Sequence, residues 1–375
     1  MAKSLLFRCA KALDRLCRYL PRAGNFRPLR GGFSAFELLE KSALSGAVLQ
    51  HAQTPGPCPG GSMTERCGMR QHDYQPWPIF WVTSDDARLV GKASDWRNEA
   101  DFRCSEAVYH YQERRSLRQD RLFAQILVKK PVILPGAWTS LASTWADGRN
   151  YYHWLLDSLT RLMVRETLPE PTRILIPEST GSFVAETLEM LGLTHQVVRP
   201  AANCVQPERY YFCAPTAMTG ACNPTGYGWL RKRFEPYSER KKTGPPVFLT
   251  RRGGARAPDN LAEIEETFSN EGFAIVDCGT ISVKEQIRVT SMAPRIAGLH
   301  GAAMTNLLWA RPGIPVLEIF QPGYLNACYE QIALHGNLNY RHDLNESPDS
   351  VTRLTEWCGK YSKQMKFVAR RNRTL

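Results

Sequence analysis

The chain has 375 residues and a formal net charge of +12, and 43% of its residues are hydrophobic. This length allows two domains with cores of their own, and the hydrophobic content is that of a globular protein. The charge lies at the ends: residues 1–30 carry +7, residues 360–375 carry +6, and the rest of the chain sums to −1. Because a nucleic-acid-binding protein usually carries its basic patch on the fold itself, we expect no nucleic-acid partner.

Eleven cysteines are spread along the chain without a C-x-x-C pair and without the Cys/His spacing of a zinc site. An odd, scattered set indicates reduced thiols, as in cytosolic proteins, rather than a disulfide framework or a structural metal site. We therefore expect a cytoplasmic protein.

Residues 3–20 can form a helix with leucine and cysteine side chains on one side and basic side chains largely on the other. Charges interrupt the apolar side every few residues, so the segment should neither span a bilayer nor act as a signal peptide. An interfacial helix is the specific hypothesis. The basic ends would then contact the anionic inner face of a membrane, at roughly 1 kcal/mol per basic residue. Solvated tails that aid solubility are the alternative.

Two segments have the composition of linkers, the Pro/Gly-rich residues 51–61 and the charged residues 238–246. They suggest four parts: a basic leader and linker over 1–70, an N-terminal α/β domain over 71–240, a C-terminal Rossmann-like domain over 241–345, and a C-terminal segment with a basic tail over 346–375.

The N-terminal domain contains a predicted helix over residues 150–168 on which His153, Asp157 and Arg161 recur at i, i+4 and i+8 and so share one face. Strands are predicted over 78–82, 107–111, 124–128, 132–134, 173–177, 196–199 and 210–213, with further helices over 182–191 and up to residue 234.

The C-terminal domain alternates strands with helices, which predicts a parallel, doubly wound sheet. Its strands are predicted over 247–250, 273–277, 295–299 and 315–320. Asn260 with Glu263, and Ser282 with Glu285, have the spacing of capping boxes that open two of the helices. Two such domains would leave a cleft that the carboxyl ends of their strands face.

Arg251, Arg252 and Arg256 follow directly on the strand over 247–250, at the edge where ligands bind in open α/β sheets. The planar guanidinium holds phosphate oxygens bidentately, so the three side chains suit a diphosphate. A solvated loop is the alternative.

His300 and Gly301 directly follow the strand predicted over 295–299. Ala302 then begins a helix that carries Thr305 and Asn306. The first turn of a helix has backbone N–H groups without partners in the helix, and these can bind an anion. Small residues at the turn let a phosphate approach the backbone. An ordinary βαβ corner is the alternative.

Glu318 lies in the middle of an apolar strand, where a carboxylate needs a partner. We expect it to accept hydrogen bonds from ribose hydroxyls. His153 and Asp157 are the candidates for proton transfer, with Arg161 on the same face. A core histidine, or an Asp157–Arg161 surface pair worth roughly 0.2–0.5 kcal/mol, is the alternative.

Taken together, these motifs resemble glycosyltransferase family 61, which includes bacterial capsular-polysaccharide enzymes, plant xylosyl- and arabinosyltransferases and animal O-GlcNAc-type transferases. The resemblance covers roughly residues 75–345. It is carried by YHWLLD (152–157) with Arg161 and Leu162, by Thr250-Arg251-Arg252 with Arg256, by HGAAMTN (300–306) and by EIF (318–320). The family's usual Asn-Glu after the arginine loop stands here as Asn260-Leu261.

The resemblance implies a GT-B-like α/β fold, in which two Rossmann-like domains face each other across a cleft. It implies inverting, metal-independent transfer of a hexosyl or pentosyl group from a nucleotide sugar, most simply a UDP-sugar, to a glycan or lipid-linked glycan in capsular or exopolysaccharide biosynthesis. No cofactor or metal is expected, and the chain has no D-x-D motif. Asp157 or His153 would be the base. Donor binding would fall to Arg251, Arg252, Arg256, His300, Gly301, Ala302, Thr305, Asn306 and Glu318.

Two other functions fit the same residues. A non-catalytic nucleotide- or glycan-binding protein can use the same fold, because fold does not fix function. A transferase of another group, such as pyruvyl, acting on a polysaccharide could also use the arginine cluster.

Overall fold

The structure of the protein is a computed structural model. The residues that it describes are 31–51, 77–90, 95–97, 102–104, 131–142, 148–176, 180–198, 204–217, 219–252, 257–321, 323–345 and 351–359. The chain divides into two compact units, with the boundary between Thr219 and Gly220. The predicted leader helix, the linker over 52–61, the strands over 107–111 and 124–128 and the basic tail lie outside the described residues.

The first unit is built on a mixed sheet. Its strands, in the described residues, are β1 (Gly31–Phe33), β2 (Gly46–Gln50), β3 (Ile79–Ser84), β4 (Arg88–Val90), β5 (Asp95–Arg97), β6 (Phe102–Cys104), β7 (Val132–Ser140), β8 (Arg173–Leu175), β9 (Val197–Val198) and β10 (Cys204–Cys213). The order is β1-β6-β5-β4-β10-β7-β8-β9, and β3 pairs with both β10 and β2. Strands β10, β7, β8 and β9 run parallel, whereas β3 and β4 pair antiparallel with β10. All pairs on the β7 side of β10 are parallel, whereas the β4 side is mixed, with β1 parallel to β6 and the other pairs antiparallel. This differs from the Rossmann-like sheet predicted for this unit.

Buried aromatic side chains form the main core of this unit on one face of the sheet. They include Phe80, Trp96, Trp138 and Phe212. The helices are α1 (Ala35–Glu40), α2 (Tyr151–His153), a π-helical segment (Trp154–Leu159), α3 (Arg161–Arg165), α4 (Ser182–Met190) and a 3-10 turn (Thr194–Gln196). The predicted helix over 150–168 is thus present but not regular, since a π segment separates α2 from α3.

The second unit contains a five-stranded sheet in which every pair of neighbours is parallel. Its strands are β11 (Val247–Leu249), β12 (Ala274–Val276), β13 (Ile296–Leu299), β14 (Pro315–Ile319) and β15 (Asn339–Asp343). The order is β12-β11-β13-β14-β15. In chain order this is the 2-1-3-4-5 arrangement of a doubly wound sheet, whose switch point lies between β11 and β13. The prediction of a parallel sheet is confirmed here.

Helices connect these strands. They are α5 (Pro224–Phe234), a 3-10 turn (Glu235–Tyr237), α6 (Leu261–Asn270), α7 (Val283–Met292), a 3-10 helix (Ala302–Trp309), α8 (Cys328–His335) and a helix over 351–359. The segment after Gly301 is therefore a 3-10 helix, which is narrower than the α-helix that we expected.

One of the two predicted capping boxes is wrong. The Asn260 side chain makes no cap hydrogen bond, because it exchanges amide hydrogen bonds with Asn345, 85 positions along the chain. Ser282 does cap its helix, accepting the Glu285 N–H at 3.2 Å. The Glu285 carboxylate pairs with Arg288.

The segment over 238–246, predicted as a linker, belongs to the second unit and packs against the rest of it. The Glu239 N–H donates to Ser291 Oγ at 2.9 Å, and the Gly244 N–H donates to the Met292 carbonyl at 3.0 Å. Arg231 on α5 donates to the Leu308 and Ala310 carbonyls. These contacts explain why the boundary between the units falls at Thr219, ahead of the predicted one at 240.

In the part of the chain that the structure describes, no helix combines the length and the apolar character that crossing a bilayer would require.

Candidate active site

The residues after β11 and β13 meet at the switch point of the second sheet. Arg251 follows β11 and His300 follows β13, and the Arg251 Nη1 donates to the His300 carbonyl at 2.8 Å. Ligands of doubly wound sheets bind outside the carboxyl ends of the strands at this point, because the connections diverge there and leave a crevice. Two of the residues predicted for a diphosphate are therefore in contact with each other at the position where the topology favours a ligand.

Close packing explains the glycine at position 301. Its backbone is extended, with φ 167°, so conformation does not demand glycine. A Cβ atom, however, would lie 2.7 Å from the Arg251 Nη1. Any larger residue would push Arg251 from its place. Ala302 then begins the 3-10 helix, whose first N–H groups point away from the body of the helix and can meet an anion.

Glu318 holds His300 from the neighbouring strand. The His300 Nδ1 lies 2.5 Å from the Glu318 Oε1, and the Tyr340 hydroxyl donates to the other carboxylate oxygen. Glu318 is fully buried. Burial raises the pKa of Glu318, and the hydrogen bond from His300 opposes that rise. The partner that a mid-strand carboxylate requires is thus a histidine.

Aromatic rings fix the plane of the imidazole. His300 stacks on Phe320 with a centroid distance of 4.7 Å, and the ring of Tyr329 meets it edge-on at 5.2 Å. With Nδ1 bound to Glu318, the proton of the neutral ring stays on Nδ1 and the Nε2 is left to act outward. The His300 Nε2 has no hydrogen-bond partner among the described residues.

These contacts bear on the prediction that Glu318 accepts hydrogen bonds from ribose hydroxyls. Both of its oxygens accept from protein groups, so a bond to a ribose hydroxyl would require one of them to be given up. The carboxylate binds the Nδ1 side of the His300 ring and so orients that ring.

Arg252 is held by Glu265, a residue that no sequence motif marks. Its guanidinium donates to both oxygens of Glu265, at 3.0 and 2.7 Å, and Thr250 Oγ1 donates to the same carboxylate at 2.5 Å. These hydrogen bonds lower the pKa of Glu265. The Arg252 side chain is 57% exposed, so it borders solvent while its charge is matched. Arg256 lies outside the described residues.

Thr305 and Asn306 are fully buried in the 3-10 helix. The Asn306 side chain donates to Gln286 Oε1 at 2.9 Å and accepts from the Trp309 indole at 3.1 Å. It therefore links the 3-10 helix to α7. Thr305 and Asn306, which were predicted to bind the sugar donor, are buried in the core beneath Gly301 and Ala302.

In the first unit, His153 and Asp157 form a hydrogen-bonded pair with Thr219. The His153 Nδ1 donates to Asp157 Oδ2 at 2.8 Å, and the Thr219 Oγ1 donates to the same oxygen at 2.9 Å. Asp157 is buried, whereas the His153 side chain is 21% exposed. Asn150 caps the helix by accepting the Tyr152 N–H, which fixes the turn that carries His153.

In the described part of the chain, Arg161 makes no hydrogen bond or ion pair with either residue of that pair. A π-helical segment, whose turns are wider than those of an α-helix, contains Asp157 and separates α2 from α3. Arg161 is 1% exposed and donates to three backbone carbonyls: those of Ser140, Ala142 and Cys213. It joins the ends of β7 and β10 and so has a structural role.

A comparison with protein families matches residues 151–317 to the family described as glycosyltransferase 61. This part of the chain is therefore similar to glycosyltransferase family 61. A curated relative is similar over a shorter stretch: beta-1,2-xylosyltransferase RCN11 of Oryza sativa subsp. japonica is 34% identical over 86 residues. That stretch is 23% of this chain and 16% of the rice protein.

The matched region contains residues of both clusters. It begins at the helix of His153 and Asp157, contains Arg251 and His300, and ends one residue before Glu318. Two residues that touch these clusters were missed from sequence. Thr219 lies in a loop, 62 positions from Asp157 in the chain. Glu265 is one of several polar residues of α6. No local pattern marks either of them.

Proposed function

We propose that the protein is an inverting glycosyltransferase that moves a sugar from a nucleotide sugar to a hydroxyl group of a glycan. The observation that carries the proposal is the contact of Arg251 with His300 at the switch point of a parallel sheet, within the family 61 region. The family match and the name of the rice relative support a sugar transferase.

The donor's diphosphate would be bound by Arg251, by the backbone N–H groups that follow Gly301 and by the Nε2 of His300. These are charges and dipoles fixed where negative charge develops on the leaving nucleoside diphosphate, which is how such a group is stabilised most effectively. Arg252 would add charge at the rim. Glu318 keeps His300 in one tautomer and one plane, so that it needs no reorientation during the reaction.

The acceptor hydroxyl would lose its proton to His153. Asp157 and Thr219 hold the Nδ1 side of its ring, which leaves Nε2 as the basic nitrogen. In the reaction a bond forms between the acceptor oxygen and the anomeric carbon, and the bond from that carbon to the phosphate oxygen breaks. The proton goes to His153 and the electron pair leaves with the nucleoside diphosphate. Attack from the face opposite the leaving group inverts the configuration.

We propose a UDP-sugar as donor and a glycan, polysaccharide or lipid-linked glycan as acceptor, in capsule or exopolysaccharide synthesis. The name of the rice relative puts UDP-xylose in the test set beside UDP-hexoses. No metal is proposed for the step, because arginine charge and the helix terminus supply the stabilisation.

A thermal-shift screen of UDP-, GDP-, CMP- and dTDP-sugars tests the proposal first. A ligand present at about 100 times its dissociation constant stabilises the native state by roughly 2.7 kcal/mol. The stabilising donors are then incubated with oligosaccharides, and release of the nucleoside diphosphate is measured. We expect one nucleotide class to bind and to turn over. Saturable binding without turnover would identify a binding protein, and the absence of any nucleotide binding would contradict the proposal.

A further inference from the structure

Gln321 carries two buried polar atoms without partners. It follows Phe320 at the carboxyl end of β14 and is 8% exposed. Its Nε2 and Oε1 are both shielded from solvent, and neither has a hydrogen-bond partner among the described residues. The side chain therefore offers one donor group and one acceptor that no described residue uses.

Such a residue is unfavourable for stability alone. A buried polar group without a hydrogen bond costs about 1–3 kcal/mol, and an apolar side chain of the same shape avoids that cost. Buried groups of this kind are few in native proteins, and they are found where water, an ion or a ligand completes the bonding.

Two residues close to Gln321 in the chain contact the ring of His300. The Tyr324 N–H donates to the Gln321 carbonyl at 3.5 Å, and Gly323 has a φ of +81°, so the chain turns back directly after Gln321. The ring of Tyr324 lies 5.3 Å from that of His300 and is 42% exposed. Phe320, directly before Gln321, stacks on the same imidazole. Gln321 is thus placed between two residues that contact His300.

The chemistry of a carboxamide narrows the ligand. Phosphate oxygens only accept hydrogen bonds, so a diphosphate would satisfy Nε2 and leave Oε1 facing negative charge. Neighbouring hydroxyl groups both donate and accept, and a pair of them can satisfy both atoms. We infer that Gln321 is a specificity-determining residue that binds hydroxyl groups of the transferred sugar. The inference rests on the proposed function, because it takes the donor to be a nucleotide sugar.

The test measures binding of a UDP-sugar and of free UDP to the full chain and to the nearly isosteric variant Gln321→Met. We expect the dissociation constant of the UDP-sugar to rise about tenfold, which is the loss of two hydrogen bonds of ordinary strength. The dissociation constant of UDP should change by less than about twofold. The melting temperature without ligand should stay the same or rise, since two unpaired polar atoms are removed.

Gln331→Met is the matched control. Gln331 is also buried in the same unit, but its Oε1 accepts the Cys222 N–H at 3.0 Å. This control should lower the melting temperature and leave the affinity for both ligands unchanged. Gln321→Asn keeps the carboxamide but withdraws it by one methylene group. Like Gln321→Met, it should raise the dissociation constant of the UDP-sugar and leave that of UDP nearly unchanged.

Each other result overturns the inference. Equal weakening of UDP and the UDP-sugar would place the contact on the nucleotide. Unchanged affinity for both ligands in Gln321→Met and Gln321→Asn would mean that an ordered water satisfies the side chain. Failure of the wild-type chain to bind either ligand, or any other nucleotide sugar, would contradict the proposed function itself. That result is distinguished from the others because it is seen before any substitution is made.

Discussion

The Nδ1 atom of His300 lies 2.5 Å from the Oε1 atom of Glu318, and the two residues come from neighbouring parallel strands. Register places Glu318 opposite Gly298, two residues before His300, so the carboxylate reaches the ring from beneath the carboxyl edge of the sheet. The pair explains how a fully buried carboxylate is tolerated in an apolar strand. It also gives His300 a fixed orientation with Nε2 directed away from Glu318.

Stability should depend on pH through Glu318. Burial raises the pKa of Glu318 in the folded state, so the folded protein holds this proton more tightly than the unfolded chain does. The contribution is favourable below the unfolded pKa of about 4.5 and is lost as pH rises through the higher folded value. Relative to wild type, Glu318→Gln should therefore gain free energy of unfolding as pH rises above about 4.5. Urea denaturation of both proteins from pH 4 to pH 8 measures this difference.

Glu318→Asp is the control, because it keeps the ionisable group while it shortens the reach to His300. It should retain a pH-dependent difference from Glu318→Gln. A difference between wild type and Glu318→Gln that does not vary with pH would contradict the account of a buried carboxylate with a raised pKa.

The His153–Asp157 pair should control the rate and not the affinity for nucleotide. His153→Ala removes the proposed base, and Asp157→Asn leaves the ring without its carboxylate. We expect kcat to fall by about 10²–10⁴-fold in each, the usual contribution of general acid–base groups. The dissociation constant of UDP should stay within about threefold. Thr219→Val should cost less, since one hydrogen bond to Asp157 is lost and the pair remains.

Near-full kcat in both His153→Ala and Asp157→Asn would remove this helix from the chemistry. The variants are compared by circular dichroism at the assay temperature, because Asp157 is buried and a fall in activity caused by unfolding would otherwise look the same.

Arg161 should behave as a structural residue. Arg161→Met leaves three backbone carbonyls without their donor in a buried place, and we expect a loss of about 2–4 kcal/mol in the free energy of unfolding. Below its melting transition the variant should keep a kcat within about threefold of wild type. An unchanged stability together with a hundredfold loss of kcat would return Arg161 to the catalytic cluster.

Some of these relationships could be predicted from sequence, because they depend on short spacings. Four residues of helix bring Asp157 to His153, and the alternation of strands and helices predicts the parallel sheet that places Arg251 near His300. The partners of Arg161 at the ends of β7 and β10 depend on tertiary packing that no local pattern records. The Asn260 cap failed for a similar reason: its partner, Asn345, is distant in the chain. Glu318 was recognised as needing a partner, but the identity of that partner depends on register.

Activity should survive removal of divalent cations. The proposed stabilisation of the leaving diphosphate comes from arginine side chains and backbone N–H groups, which a chelator does not remove. We expect kcat in EDTA to stay within about twofold of its value in untreated enzyme. Loss of turnover in EDTA, restored by Mn²⁺ or Mg²⁺, would contradict the metal-independent step.

The central claim is that the nucleotide's diphosphate binds between Arg251 and His300, and titration of UDP into Arg251→Ala by calorimetry tests it most directly. Arg252→Ala is the matched comparison, because the neighbouring guanidinium is already paired with Glu265. A hydrogen bond to a charged group contributes about 1.5–3 kcal/mol, so Arg251→Ala should raise the dissociation constant of UDP by about 10–100-fold. Arg252→Ala should weaken it by less than about fivefold. Unchanged affinity in Arg251→Ala, measured on folded protein, would contradict the claim.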